Sequence, residues 1–84
     1  MEYKVLIRVF VPEIEEDYEM YIPINKTVGE ITKILGQLVS TLSSIYPPER
    51  NLFLYNRHNG TIYSRSFMIR DTDIRNGTEL VLIG

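Results

Sequence analysis

One stretch of this chain, beginning at Thr27, repeats its apolar residues at helical spacing, and that limits what every other segment can do. Val28, Ile31, Ile34, Leu35, Leu38, Leu42 and Ile45 recur three and four apart, which predicts one helix with a stripe facing the core. Thr27-Val28-Gly29-Glu30 opens it as a capping box. In such a box the threonine hydroxyl accepts the glutamate backbone N–H while the carboxylate accepts the threonine backbone N–H. Pro47-Pro48 ends the helix, because proline has no amide hydrogen and its ring clashes with the preceding turn. Gly36 weakens a helix by up to about 1 kcal/mol relative to Ala, so its expected use is close backbone packing. A single helix covers only one face of a sheet.

The remaining segments read as strands and turns. Val5, Ile7, Val9 and Val11 alternate with Lys4, Leu6, Arg8 and Phe10, and the all-β-branched side is the one expected to face inward. Pro12 stops this strand, the acidic run Glu13, Glu15, Glu16, Asp17 follows as a solvated hairpin loop, and Tyr18, Met20, Ile22 and Ile24 alternate through a second strand. Pro23 cannot donate to a ladder, which places this second strand at a sheet edge. Residues 51–55 form a third strand, Asn59-Gly60 a hairpin turn, and residues 61–63 a short fourth segment. After an irregular stretch over 64–75, with Ile74 anchored inside, Asn76-Gly77 turns the chain into a last strand over 79–83. There Leu80 and Leu82 share one face and Val81 and Ile83 the other.

The order is strand, strand, helix, strand, short strand, strand. It predicts an α+β fold: a mixed sheet of four to five strands with one main helix packed on one face, as a single domain over residues 1–84. A length of 84 residues with 44% apolar and 24% charged side chains is globular composition. The chain contains no cysteine, which removes disulfides, thiolate metal sites and cysteine nucleophiles. The N-terminus lacks the pattern of a signal peptide. No apolar run approaches the roughly 20 residues that span a bilayer, so a cytoplasmic protein without membrane insertion is expected.

The arrangement resembles the β-grasp of ubiquitin-like proteins along nearly the whole chain. Lys26-Thr27-Val28-Gly29-Glu30-Ile31 at the helix start carries the resemblance, together with Tyr46-Pro47-Pro48-Glu49-Arg50-Asn51-Leu52 and Ile69-Arg70-Asp71-Thr72-Asp73-Ile74. Within that group the closing pattern Asp71…Ile74-Arg75-Asn76-Gly77-Thr78…Leu80 and the size are most similar to the bacterial YukD/EsaB family, associated with type VII (WXG100) secretion systems. The resemblance implies a sheet with the last strand beside the first, both central. Ubiquitin-like modifiers react through a flexible diglycine arm, whereas here a single Gly84 directly follows the last strand. A non-conjugating protein is therefore expected; the alternative is a sulfur carrier or modifier activated at its C-terminal glycine.

No catalytic or cofactor constellation is legible. His58 stands in a turn without a neighbouring carboxylate pattern, the serines lack a Gly-x-Ser-x-Gly setting, and Glu30 at the helix start would repel a phosphate. Neither an enzyme nor a metal or cofactor protein is expected. Net charge is −2, divided as −4 over residues 1–49 and +2 over residues 50–84. Arg57, Arg65, Arg70 and Arg75 fit plain solubility better than nucleic-acid binding. The feature that asks for a function is the sheet face away from the helix. Alternation sends Leu6, Arg8, Phe10, Tyr21, Phe53, Tyr55, Val81 and Ile83 there, and contiguous exposed apolar surface rimmed by polar groups marks an interaction site. In ubiquitin-like proteins this face is the usual recognition surface, and the resemblance puts Phe53, Val81 and Ile83 on its matching positions. The expected partner is a protein, with a homodimer through the same face as another outcome; cover from residues 64–68 would remove the site.

Overall fold

The structure, a computed structural model, describes residues 3–44 and 51–84. Four strands form one sheet: β1 (Lys4–Val11), β2 (Glu16–Pro23), β3 (Phe53–Asn56) and β4 (Glu79–Ile83), in the order β2-β1-β4-β3. β1 and β4 are central and parallel, and the two outer pairs are antiparallel. A parallel pair cannot be closed by a hairpin and needs a crossover. That crossover includes the one long helix, α1 (Val28–Leu42).

The edge position of β2 is the one its proline demands. Ile24 donates its amide to the Tyr3 carbonyl, and the register continues from that pair through Val5↔Ile22 to Val11↔Glu16. Hydrogen-bonded pairs alternate along an antiparallel ladder, so the even-numbered residues of β2 bond to β1 and the odd ones face outward. The nitrogen of Pro23 therefore lies on the free side, where its missing hydrogen breaks no ladder bond. β2 spans Glu16–Pro23, two residues earlier than its alternation alone suggests, because the turn between the strands is tight. Pro12–Ile14 make one 3-10 turn and Glu15 takes the left-handed conformation (φ 52).

On the other side of the sheet β3 covers Phe53–Asn56, a shift from the expected 51–55, and the segment over 61–63 contributes only a single bridge, Tyr55↔Ile62. Leu6 donates its amide to Asn76 Oδ1 (2.7 Å), and its carbonyl accepts the Gly77 amide (2.8 Å). Gly77 has φ 89, a conformation that glycine adopts without strain. The Asn76-Gly77 turn thus ties the start of β4 to β1.

The capping box forms as its sequence predicts, with Glu30 N–H donating to Thr27 Oγ1 (3.1 Å) and Thr27 N–H to Glu30 Oε1 (3.0 Å). These bonds hold the Glu30 carboxyl below its ordinary pKa, the backbone bond from Thr27 contributing most and its hydroxyl next. Two further amides at the helix start find carbonyls in the irregular segment: Val28 donates to Phe67 (2.8 Å) and Gly29 to Arg65 (2.9 Å). Residues 64–68 therefore run beside the helix N-terminus. They do not lie over the outer sheet face.

The helix buries only part of the stripe its spacing predicts: Val28, Ile31 and Leu35 go in as expected, and Val39 joins them. Thr32 and Gly36 are buried with them, while Ile34, Leu38 and Leu42 remain 49%, 36% and 57% exposed. Ile45 and Pro47-Pro48 lie outside the described residues. The apolar arc of this helix is wider than the face the sheet can cover, and Gly36 decides which part goes in. A Cβ at Gly36 would come within 2.5 Å of Leu52 Cδ1, so the missing side chain lets α1 settle on that flank and lifts the opposite one. Thr32 is tolerated inside because its hydroxyl donates to the Val28 carbonyl (2.7 Å).

The core joins this helix face to Ile7, Val9, Val11, Leu54, Leu80 and Leu82, with Ile69 and Ile74 closing its end. Tyr63 carries the polar link of the irregular segment. Its hydroxyl donates to Asp73 Oδ1 (2.6 Å) and accepts from Asn56 Nδ2 (3.1 Å), while Asn56 Oδ1 accepts the His58 and Asn59 amides. Burial, then the bond to Asp73, pushes the Tyr63 phenol from its ordinary 10.0 up to about 12. The fold holds the neutral phenol, so its contribution to stability is complete below pH 10 and is lost as pH rises through about 12. Tyr63→Phe should cost about 1–3 kcal/mol near neutral pH and remove part of the alkaline loss of stability. Urea titrations at neutral pH and across this alkaline window would measure both effects; an unchanged alkaline profile would contradict the assignment.

Candidate protein-interaction face

The outer face follows from strand pairing. Tyr21 and Leu6 are paired across β2 and β1. One row along, Arg8 pairs with Glu19 on β2 and with Glu79 on β4. In the next row Phe10 pairs with Asp17 and Val81, and Val81 with Tyr55, which bridges to Ile62. Phe53 pairs with Ile83 beyond it. The eight sequence-predicted residues share the face, but they do not make one continuous apolar surface. The charged row separates Leu6 and Tyr21 from a larger patch of Phe10, Val81, Tyr55, Phe53 and Ile83.

Exposure divides that patch further. Phe53 is 48% exposed, whereas Val81 is only 3% exposed although it is not part of the core cluster under the helix. Its side chain is enclosed by its own face, between Phe10 and Tyr55. Leu6, Phe10, Tyr55 and Ile83 are half-buried, and Arg8 is exposed. Ile62, 67% exposed, extends the patch past β3 and was not in the sequence-derived set. Its signal was available: with Tyr63 pointing inward, alternation sends Ile62 outward.

Arg57 is the second residue that sequence reasoning placed elsewhere. Its guanidinium lies 4.8 Å from the centroid of the Phe10 ring and within 3.4 Å of Asp17 Oδ1 and 3.6 Å of Glu79 Oε1. Arg8 reaches Glu19 Oε2 at 3.4 Å, and His58 Nε2 stands 3.6 Å from Glu79 Oε2. These pairs are largely exposed and contribute little to stability. Their effect is to rim an apolar patch with charges of both signs. Two of the other arginines serve the fold: Arg65 Nη1 donates to the Leu52 carbonyl (2.7 Å), and Arg75 Nη1 donates to the Thr72 and Ile74 carbonyls (2.6 and 2.8 Å). Among the described residues no three His, Cys, Asp or Glu side chains gather as a metal site, and no helix is long and apolar enough to cross a membrane.

No protein-family model matches the chain. No curated protein does either. Solved structures do. A chain of the MycP5-free ESX-5 inner membrane complex superposes with a TM-score of 0.77 at 17% identity over 96% of this chain, which spans only 21% of that longer chain. A protein designed de novo on ubiquitin gives 0.72 at 18% identity, covering 99% of this chain and 90% of the design. Ubiquitin from Caldiarchaeum subterraneum gives 0.69 at 18% identity, covering 94% and 90%. With the mixed four-stranded sheet and one helix on one face, these likenesses show that the chain has the ubiquitin-like β-grasp fold.

Proposed function

We propose that this protein is a non-enzymatic, ubiquitin-like adaptor that binds protein partners through the outer sheet face, and that it serves a bacterial type VII secretion system from the cytoplasm. The carrying observation is the patch of Phe53, Tyr55, Ile62 and Ile83 on the face the helix leaves open, rimmed by the Arg8–Glu19 and Arg57–Asp17 pairs. Exposed aromatic and aliphatic groups beside arginine supply the anchors of protein interfaces. The secretion reading draws on the resemblance to the YukD/EsaB family, and the fold similarity to a chain of the ESX-5 inner membrane complex is in keeping with it.

Phe53 and Ile62 are the residues to change, because their exposure separates binding from folding. Phe53→Glu and Ile62→Glu should each weaken capture of proteins encoded with a type VII secretion locus by tenfold or more, while far-UV circular dichroism and the urea midpoint stay close to wild type. Wild-type capture by both folded variants would refute the reading.

A further inference from the structure

Asparagine precedes glycine twice, at Asn59-Gly60 and Asn76-Gly77, and both glycines have positive φ, 72 and 89. Such a pair carries chemistry of its own. With no Cβ in the way, the glycine amide can approach and attack the side-chain carbonyl carbon of the asparagine before it. In a folded chain the reaction waits for both groups to come free of their hydrogen bonds, so its rate reports local opening. The two sites are held in different ways.

Asn76 is held by a distant strand. Its Oδ1 accepts the Leu6 amide (2.7 Å), and the Gly77 amide donates to the Leu6 carbonyl (2.8 Å). Leu6 belongs to β1, in the middle of the sheet, and the attacking nitrogen and its target are released only when the turn is pulled off that strand. Asn59 is held only by its own turn. The Gly60 amide donates to the Asn56 carbonyl (2.9 Å), and Asn59 Oδ1 accepts the Thr61 amide (2.9 Å). Residues 57–62 are all exposed, and bonds this local open without disturbing the sheet. Buried Asn56 anchors the start of the turn, which confines the opening to its tip.

We propose that Asn59 is a site of spontaneous deamidation in the folded protein and that β1 protects Asn76 from the same reaction. The Gly60 nitrogen bonds to Asn59 Cγ, the Cγ–Nδ2 bond breaks, and the proton lost from Gly60 leaves with the nitrogen as ammonia, closing a succinimide ring. Water then opens the ring at either carbonyl, leaving aspartate or isoaspartate. Each product adds one negative charge to the turn that carries Arg57 and His58, beside Glu79, and isoaspartate also lengthens the main chain there. The modification does not depend on what the outer sheet face binds.

Peptide mapping of the full chain by mass spectrometry, after incubation in mildly alkaline buffer with and without guanidinium chloride, tests the proposal. Trypsin separates the two sites into residues 58–65 and 76–84. In native samples the 58–65 peptide should gain the mass of an amide-to-acid change, as two chromatographic forms, at least tenfold faster than the 76–84 peptide. In denaturant the two rates should converge. Equal native rates, faster conversion at Asn76, or no conversion at Asn59 while the denatured chain converts would overturn the proposal. So would a native difference that persists in denaturant, because sequence rather than fold would then set it.

Discussion

Val81→Asp will destabilise the protein by about 3–5 kcal/mol, the expected cost of a buried charge without a partner. Val81 lies on the outer face, yet only 3% of it is exposed. Phe10 and Tyr55 flank it on neighbouring strands. A short carboxylate there can neither reach water nor stay ionised without displacing those rings, and the change also discards the apolar burial of the valine. A domain of this size has a total stability on the order of 5–15 kcal/mol, so the variant should be largely unfolded in modest urea. Phe53→Asp, on the same face at 48% exposure, should move the urea midpoint little. Equal stability of the two variants would mean that the outer face does not enclose Val81, and charge at position 81 would then become a clean probe of binding.

Leu80→Ala is the second large effect, at about 2–5 kcal/mol. Leu80 has no exposed surface, sits in a central strand and pairs with Val9 on one side and Asn56 on the other. Its truncation opens a cavity where backbone on both sides is held by ladder bonds and cannot collapse inward. A fall in melting temperature of roughly 10 °C or more follows for a domain this small. Leu38→Ala provides the contrast, because that leucine is 36% exposed on the uncovered helix flank; the expected cost is under about 1 kcal/mol. Comparable losses for Leu80→Ala and Leu38→Ala in thermal denaturation would contradict the packing described for α1.

Most of the outer face was readable because a strand's side chains alternate without regard to what surrounds it. Once Val5, Ile7, Val9 and Val11 are inward, Leu6, Arg8 and Phe10 have only one place to go. Pairing between strands carries no such local signal. Nothing near Arg8 in the sequence announces that Glu19 and Glu79 will both lie beside it, and that row is what separates Leu6 and Tyr21 from the main patch. Arg57 was legible as a loop arginine, but its place over Phe10 depends on how the turn after β3 meets β1.

The helix shows the same division from the opposite direction. Its capping box was complete within four residues and needed nothing beyond them. Its buried stripe was not local. Spacing alone puts 28-31-35 and 34-38-42 on one broad stripe, and which part of it is buried, with Val39 added, rests on Leu52 filling the space that Gly36 leaves.

What the sequence determined by itself is the four main strands and the helix, their order, the inward face of each strand, the helix start and the edge position of β2, because these depend on periodicity, capping and proline chemistry within a few residues. Only the tertiary structure decided which flank of the helix stays bare, that Val81 is enclosed on a face otherwise open to solvent, and that charges from β1, β2, β4 and the turn after β3 meet in one row. Those outcomes depend on contacts between residues far apart in the chain, such as Leu6 and Asn76, 70 positions apart, and on which of two competing surfaces packs with less empty space.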